Sequence, residues 1–257
     1  MTPHESAHFL RKQHYLPVSS HNPHFLSSYD AYNLKLALSK DAEGYLYNGM
    51  LSIGAGIQSL LNQNYGWATV KFYYAIFYLA RAILGVNQLG IVYDGSKPFS
   101  ILAQTGESLT KRKGNTHKLI LSLFQKYKPT HIMLSNDIDS QCPLDWLMKQ
   151  REMMNYKLAV MPDPQCPEQY QEIITSSKTL RQWLNIYLLD EIEVYCFDKD
   201  HAGLAYPFKF LIHTFHEFQN NQLSCRYFKS NHRFIKKLFS DKSGTFSFLT
   251  TYFEWLT

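Results

Sequence analysis

The stretch from Gly66 to Gly85, GWATVKFYYAIFYLARAILG, constrains the fold of this chain more than any other segment. The 18 residues between its flanking glycines would form a helix about 27 Å long, which approaches the thickness of a bilayer core. However, Lys71 and Arg81 lie within it, and no second apolar segment could pack beside it in a membrane. The stretch therefore predicts the central helix of a soluble bundle and no membrane partner.

The polar side chains of this helix fall on one face. At 100° per residue, Lys71, Tyr74, Tyr78 and Arg81 share a sector about 80° wide, and apolar residues and Tyr73 occupy the rest of the circumference. Two interpretations stay open. The cations extend along the surface to reach water, or the face is a wall toward a phosphate-containing ligand or a dimer groove. Under the second interpretation these four residues are candidates for binding nucleic acid.

The hydrophobic periodicity along the chain predicts an all-α protein. Short helices are expected over 4–14 and 29–39. Longer ones are expected from about 40 to 63, over 66–85 and 116–127, from Pro143, and over 168–189. The range 86–115 reads as a loop, EIEVYCF as a short strand, and the aromatic-rich end as helical. We therefore predict an N-terminal segment (1–39), an up-and-down helical bundle (40–190) and a small, mostly helical C-terminal extension (191–257).

The composition is that of a globular protein with a weak preference for anionic partners. Hydrophobic residues make up 45% of the chain and aromatic residues 15%, enough for a sizeable core. The formal charge of +5 is compatible with nucleic acid but does not prove it. The 4 cysteines form no CxxC pair and the start lacks a secretory signal, so we expect reduced thiols and a cytoplasmic protein. The sequence shows no P-loop or dinucleotide fingerprint, and we expect no cofactor.

The central helix and two later motifs resemble the signature of the HEPN superfamily. The first motif matches a Tyr-Tyr-Ala-x-Phe pattern followed by Ala-Arg-Ala, carried here by Tyr73, Tyr74, Ala75, Phe77, Ala80, Arg81 and Ala82. Further along, NTHK opens a short amphipathic helix, and REMMNYKL resembles an Arg-x3-Asn/Asp-Tyr motif near the end of the bundle. The order of these motifs fits the family over about residues 40–190.

This resemblance implies a helical bundle that is usually dimeric and belongs to bacterial toxin–antitoxin or antiviral-defence systems. Many members are metal-independent ribonucleases. Their marker is an arginine followed four to six residues later by a histidine, because cleavage needs a cation at the phosphate and a group that moves a proton near neutral pH. The resemblance therefore implies RNA as substrate, a homodimer, no metal, and a possible partner protein from the same operon.

The chain departs from the family at this marker. In the matching helix, Arg151 is followed by Asn155 and Tyr156 but by no histidine. A literal Arg-x4-His occurs instead at Arg112–His117, at a helix N-terminus suited to phosphate and between Lys111 and Lys113. The candidate catalytic residues are Arg151, Asn155, Tyr156, Arg112 and His117, with Lys111 and Lys113 as candidate nucleic-acid contacts. Two functions stay open, a ribonuclease and a non-catalytic module that binds a partner protein or a nucleotide.

Two other segments carry chemistry-bearing residues. His4 to His8 matches H-E-x-x-H, a zinc-protease pattern, and His14, His21 and His24 enrich the same end, so incidental Zn or Ni binding is conceivable there. The segment CRYFKSNHRFIKKLF, residues 225–239, interleaves cations with aromatics and contains a second spaced pair, Arg226 and His232. It reads either as a nucleic-acid-binding surface or as an amphipathic helix with Phe234, Leu238 and Phe239 facing the core. We expect the amphipathic helix.

Overall fold

The computed structural model describes residues 4–18 and 24–256, and the chain is mostly helical with two small antiparallel sheets. The N-terminal half contains α1 (Glu5–Lys12), α2 (Ser28–Leu61) and α3 (Tyr65–Val86), followed by strands β1 (Leu89–Asp94), β2 (Lys97–Leu102) and β3 (Thr110–Lys111). The expected helical class is confirmed at this level. The two helices expected over 29–39 and from about 40 to 63 are one helix, because α2 runs through residue 40 without interruption.

The antiparallel pair α2 and α3 forms the centre of the molecule. Asp41 of α2 accepts hydrogen bonds from the backbone amides of Glu5 and Ser6, which fixes the start of α1 on this pair. In the most apolar 18-residue stretch of α3, 78% of the residues are buried within the fold. Among the described residues, α3 alone is long and apolar enough to cross a membrane. Its burial is that of a core helix.

The range predicted as a loop, 86–115, forms the three-stranded sheet β1–β2–β3. Asp94 pairs with Lys97 across a two-residue turn in which Gly95 has φ +58°, a conformation that favours glycine. The dipeptide Asp94-Gly95 is a hairpin signal, but the strands around it lack strict alternation because β1 is buried on both faces near its start. The sheet matters for the site, since Tyr93 of β1 donates a hydrogen bond to Thr116 at the start of the next helix.

Further helices follow along the chain, and the first two of them pack on α3. They are α4 (Thr116–Tyr127), α5 (Pro143–Glu152), which continues as a π-helical turn (Met153–Lys157), then α6 (Glu168–Thr175), α7 (Leu180–Leu189) and α8 (Val194–Phe197). The single helix predicted over 168–189 is two helices, because Thr179 and Gln182 form a capping box that starts α7. The strand predicted over EIEVYCF is wrong: the segment turns into α8, and Glu193 there is buried against Lys209 and His213.

The C-terminal portion contributes to the same core. It contains α9 (Ala202–Asn220), α10 (Arg226–Leu238), the hairpin strands β4 (Ser240–Asp241) and β5 (Gly244–Thr245), and α11 (Thr250–Trp255). Helix α9 packs directly on α3. Four phenylalanines of α9 are completely buried in the cluster that also contains the interior of α2 and α3, namely Phe208, Phe210, Phe215 and Phe218. The range that we predicted as an extension thus supplies part of the central packing.

Candidate functional site

Arg151 occupies the last turn of α5 and is buried. Pro143 begins this helix at a position where no backbone donor is needed, and Arg151 follows two turns later with only 9% of its surface exposed. Within residues 4–18 and 24–256, the guanidinium forms no salt bridge with any carboxylate, and its Nε has no hydrogen-bond partner. A buried cation with an unused donor is unusual, since desolvation of a charge is costly unless it is paired.

The π-helical turn after α5 determines what lies beside Arg151. Hydrogen bonds from residue i to i+5 widen this turn, so the neighbour of Arg151 along the chain is Tyr156 rather than Asn155. Arg151 Nη2 donates to Tyr156 Oη over 3.4 Å, a long hydrogen bond. The face that we predicted for Arg151 and Asn155 assumed α-helical spacing. Among the hydrogen bonds of the described residues, Asn155 makes none through its side chain, and its predicted role has no support.

Two tyrosines of α3 cover the remaining sides of the guanidinium. Its carbon lies 5.4 Å from the ring centre of Tyr73, 5.8 Å from that of Tyr74 and 5.3 Å from that of Tyr156. These distances are within the range of cation–π attraction, which partly compensates the lost hydration. Arg151 is therefore held by aromatic faces, and no carboxylate neutralises its charge within the described residues.

His117, at the start of α4, approaches the same tyrosines. The side chain of Asn115 caps this helix by accepting from the amide of Lys118, and Tyr93 fixes Thr116. His117 Nδ1 lies 3.1 Å from Tyr73 Oη, and the imidazole packs 4.6 Å from the ring of Phe77. Burial, and then the charge of Arg151, lower the pKa of His117 below its usual 6.5, so the imidazole is neutral at pH 7.

We call these five residues the Arg151 cluster: Tyr73, Tyr74, His117, Arg151 and Tyr156. It joins a cation without a carboxylate partner to a neutral imidazole through the shared hydroxyl and ring of Tyr73. Such a pair can stabilise negative charge on a bound anion and accept a proton beside it. Burial raises the pKa of Tyr73, so its hydroxyl stays protonated and acts by hydrogen bonding.

The predicted pair Arg112–His117 does not form. Arg112 follows β3, and its Nε donates a hydrogen bond to Ser100 Oγ at 2.7 Å. Its guanidinium is therefore bound to strand β2 of the sheet. Among the described contacts, none joins Arg112 to His117. Lys111 and Lys113 are exposed on either side of Arg112. His117 is instead linked, through Tyr73, to the arginine of a different helix, 34 positions further along the chain.

The four residues of the predicted polar face of α3 have different surroundings. Lys71 is exposed, and Tyr78 is half-buried with its ring 6.4 Å from that of Tyr74, which belongs to the Arg151 cluster. Arg81 donates to Tyr45 Oη and lies 4.1 Å above the Tyr45 ring, a packing role at the other end of the helix. The structure thus brings Tyr74 beside Arg151 with Tyr78 next to Tyr74, but it gives Arg81 an intramolecular partner.

Sequence reasoning missed Tyr73, which fell within the apolar circumference of α3. The ring of Tyr73 is almost fully buried, as that placement predicts. Its hydroxyl, however, lies within hydrogen-bond distance of His117. The sequence feature that could have indicated Tyr73 is the Tyr-Tyr pair of the Tyr-Tyr-Ala-x-Phe motif. No signal along the chain connected Arg151 to His117, because only the packing of α4 and α5 on α3 brings them together.

The H-E-x-x-H segment lies at the start of α1. His4 Nδ1 is 3.1 Å from Tyr45 Oη, and the amides of Glu5 and Ser6 are bonded to Asp41. In the part of the chain that the structure describes, no group of three His, Cys, Asp or Glu side chains is arranged to hold a metal ion. His21 lies outside the described residues.

Comparison of the chain with protein-family models, with curated proteins and with solved structures finds no significant match.

Proposed function

We propose that this protein is a HEPN-like component of a bacterial toxin or antiviral-defence system that cleaves RNA without a metal ion, using the Arg151 cluster. The observation that supports this proposal is the contact network between Arg151, Tyr73 and His117. It would provide the cation and imidazole of the family's Arg–His marker from two helices instead of one. The family resemblance of the helix motifs and the basic net charge point in the same direction.

The chemistry suits RNA because RNA carries its own nucleophile. In the tautomer with its proton on Nδ1, His117 donates to Tyr73 Oη and its Nε2 can accept the proton of a ribose 2′-hydroxyl. The 2′-oxygen then bonds to phosphorus, the bond to the 5′-oxygen breaks, and the products are a 2′,3′-cyclic phosphate and a 5′-hydroxyl. Arg151 would stabilise the charge that develops on the phosphoryl oxygens.

Access to Arg151 requires movement of Tyr156. This side chain is 72% exposed and is joined to the guanidinium only by a long hydrogen bond and its ring face. A phosphate could replace it at low cost. The leaving 5′-oxygen would take up the proton that His117 removed from the 2′-hydroxyl, returned from the imidazolium directly or through a water molecule.

The test is cleavage of a fluorescently labelled single-stranded RNA in the presence of EDTA. We expect cleavage by the wild-type protein and a loss of at least about 100-fold in each of Arg151→Ala and His117→Ala, the usual size for one catalytic group. The matched control is His8→Gln, which removes an exposed histidine of α1 and should leave the rate unchanged. Circular dichroism would show that each variant is folded. Equal cleavage by wild type and both site variants contradicts the assignment.

The alternative is a non-catalytic HEPN-like module that binds a partner protein or a nucleotide. The low exposure of Arg151 and its enclosure by three rings favour this alternative, because a purely structural arginine would have the same surroundings. It predicts no RNA cleavage and a bound ligand or partner. Native mass spectrometry of the purified protein distinguishes the two, and it also gives the oligomeric state.

A further inference from the structure

Helix α10 presents a row of cations to solvent. Its buried side, which includes Phe228 and Ile235, packs on α2 and is also covered by Phe253 of α11. On the opposite side, Lys229, Arg233 and Lys237 are exposed and follow one another at intervals of four residues. Arg233 and Lys237 lie one turn apart in the second half of the helix and share a face, about 6 Å from each other along the axis. Lys229 is exposed on the turn before Asn231, and the three cations together form a row along the exposed side of α10.

These cations have no anionic partner. Arg226, at the start of α10, forms a salt bridge with Glu43 of α2. By contrast, no salt bridge involves Lys229, Arg233 or Lys237 within the described residues 4–18 and 24–256. The row is therefore a local concentration of uncompensated positive charge, which attracts a polyanion.

An aromatic ring stands beside this row. We expected Phe234 to face the core, but it is 55% exposed, while its neighbours along the helix Leu238 and Phe239 pack inward as predicted. The backbone of α10 departs from helical geometry at Asn231, which shifts the second half of the helix relative to the first. Phe234 directly follows Arg233 and precedes Lys237 by three residues, so its exposed ring lies beside these two cations.

We propose that this surface, the α10 face, defined by Lys229, Arg233, Phe234 and Lys237, binds single-stranded RNA. The cations would contact successive phosphates, and the ring of Phe234 would stack on a base. Proteins that bind single strands without sequence preference combine these two elements, a positive groove and an exposed aromatic ring. The polarity of the rest of the face, with Ser230 and Asn231 exposed, suits a hydrated strand.

The orientation of α10 favours a nucleic acid over a membrane. A helix that docks on a bilayer turns its apolar side outward and buries it among the acyl chains. Here the apolar side of α10 is already occupied by α2 and α11, and the ring of Phe234 is the one large apolar group that the described helix exposes. One ring beside three cations matches stacking better than membrane insertion.

The α10 face is distinct from the Arg151 cluster. It lies on a helix that packs against α2, whereas the cluster is built from α3, α4 and α5. This inference goes beyond the proposed function and rests on it only in taking RNA as the strand. A second contact surface would hold a long strand on the protein while another part of it reaches the cluster.

The experiment measures binding of a fluorescein-labelled 20-mer of oligouridylate by fluorescence anisotropy at several salt concentrations. Phe234→Ala should weaken binding at least about fivefold, the lower end of what one base–aromatic stack contributes. The double variant Arg233→Gln/Lys237→Gln should weaken it further and should reduce the salt slope by about 1.4, about 0.7 for each lost phosphate contact on a single strand. Neither change removes a buried side chain, so both variants should fold.

Matched controls come from α2 and from the segment before it. Phe25→Ala removes another exposed phenylalanine, and Lys35→Gln/Lys40→Gln removes two exposed cations; both should bind like the wild type. The proposal is overturned if the α10 variants bind like the controls, if no oligonucleotide binds, or if phosphatidylserine vesicles bind in its place. Binding that depends on the α10 face without any cleavage would contradict the proposed function alone. Cleavage of a dinucleotide with binding unaffected by the α10 variants would contradict only this inference.

Discussion

The most informative residue is Arg151, because it is a charged side chain buried among tyrosine rings with no carboxylate partner among the described residues. Burial of a guanidinium without a carboxylate costs stability that the three tyrosine faces only partly return. Its nearest titratable basic neighbour across the cluster is His117, whose protonation Arg151 opposes. The two residues are therefore electrostatically coupled, whatever the chemistry of the site.

Substitution of Arg151 by Gln should raise the pKa of His117 toward 6.5 without reaching it. Burial is the larger cause of the lowered pKa and remains, while the repulsion by the guanidinium disappears. Because the folded pKa is lowered, the unfolded chain binds the proton first, and the contribution of His117 to stability is lost as the pH falls through 6.5 toward the folded value. NMR titration of the His117 imidazole in both proteins checks this, and an unchanged or lower pKa in the variant would show that the two side chains are not coupled.

At the scale of elements, the pairing of α2 with α3 depends on glycines. A Cβ at Gly56 would lie 2.5 Å from Cε1 of Phe72, whose ring is almost fully buried, and a Cβ at Gly49 would lie 2.5 Å from Leu79. The two helices approach closely because these positions have no side chain. This close approach determines how α3 is rotated against α2, and thus the direction in which Tyr73 and Tyr74 project.

Gly56→Ala should destabilise the protein by up to about 2 kcal/mol, because overpacking a core costs about 1 to 3 kcal/mol. The gain in helix propensity returns about 1 kcal/mol of this cost. Gly44→Ala, in the same helix, is the control. Its nearest atom, on Tyr227, is at the ordinary distance of 3.7 Å, so the change should be neutral or stabilising by up to about 1 kcal/mol. Urea denaturation measures both, and equal stability of the two variants would contradict the proposed close packing.

For the whole molecule, the central feature is that α9 completes the core around α3. Tyr206 donates a hydrogen bond to the carbonyl of Met133, and the phenylalanines of α9 fill the same cluster as the interior of α2 and α3. Without α9, the apolar side of α3 opposite α2 would be exposed to water. The cluster around Arg151 depends on α3 and thus on this packing.

A fragment of residues 1–190 should therefore fail to fold cooperatively. It would expose the large apolar surface that α9 covers, at a cost that exceeds the usual stability of a domain. Thermal unfolding followed by circular dichroism is the measurement, and co-expression of residues 191–257 as a separate chain is the control, since it should restore the transition. A fragment that unfolds cooperatively by itself would mean that the predicted bundle of residues 40–190 is an independent domain.

The sequence predicts what depends on local spacing. The sequence predicts the central helix, the start of α5 at Pro143, the span of α4 and the helical class of the chain from apolar periodicity and helix-start residues. The loop prediction for 86–115 is wrong because strands buried on both faces lose the alternation by which strands are recognised. The EIEVYCF segment does alternate, but the buried contacts of Glu193 turn it into a helix.

For the candidate site, too, some features follow from the sequence and others only from the packing. The sequence by itself determined the side of α3 that carries Tyr74 and Tyr78, and it singled out Arg151 and His117 as separate candidates, because those inferences need only helical angles and residue chemistry. The tertiary structure alone decided that Arg151 meets His117 while Arg112 does not, and that Phe234 faces water. The physical reason is that these contacts depend on how α4, α5 and α10 pack on the α2–α3 pair, and on a π-helical turn and a kink that change the residue spacing within two of them.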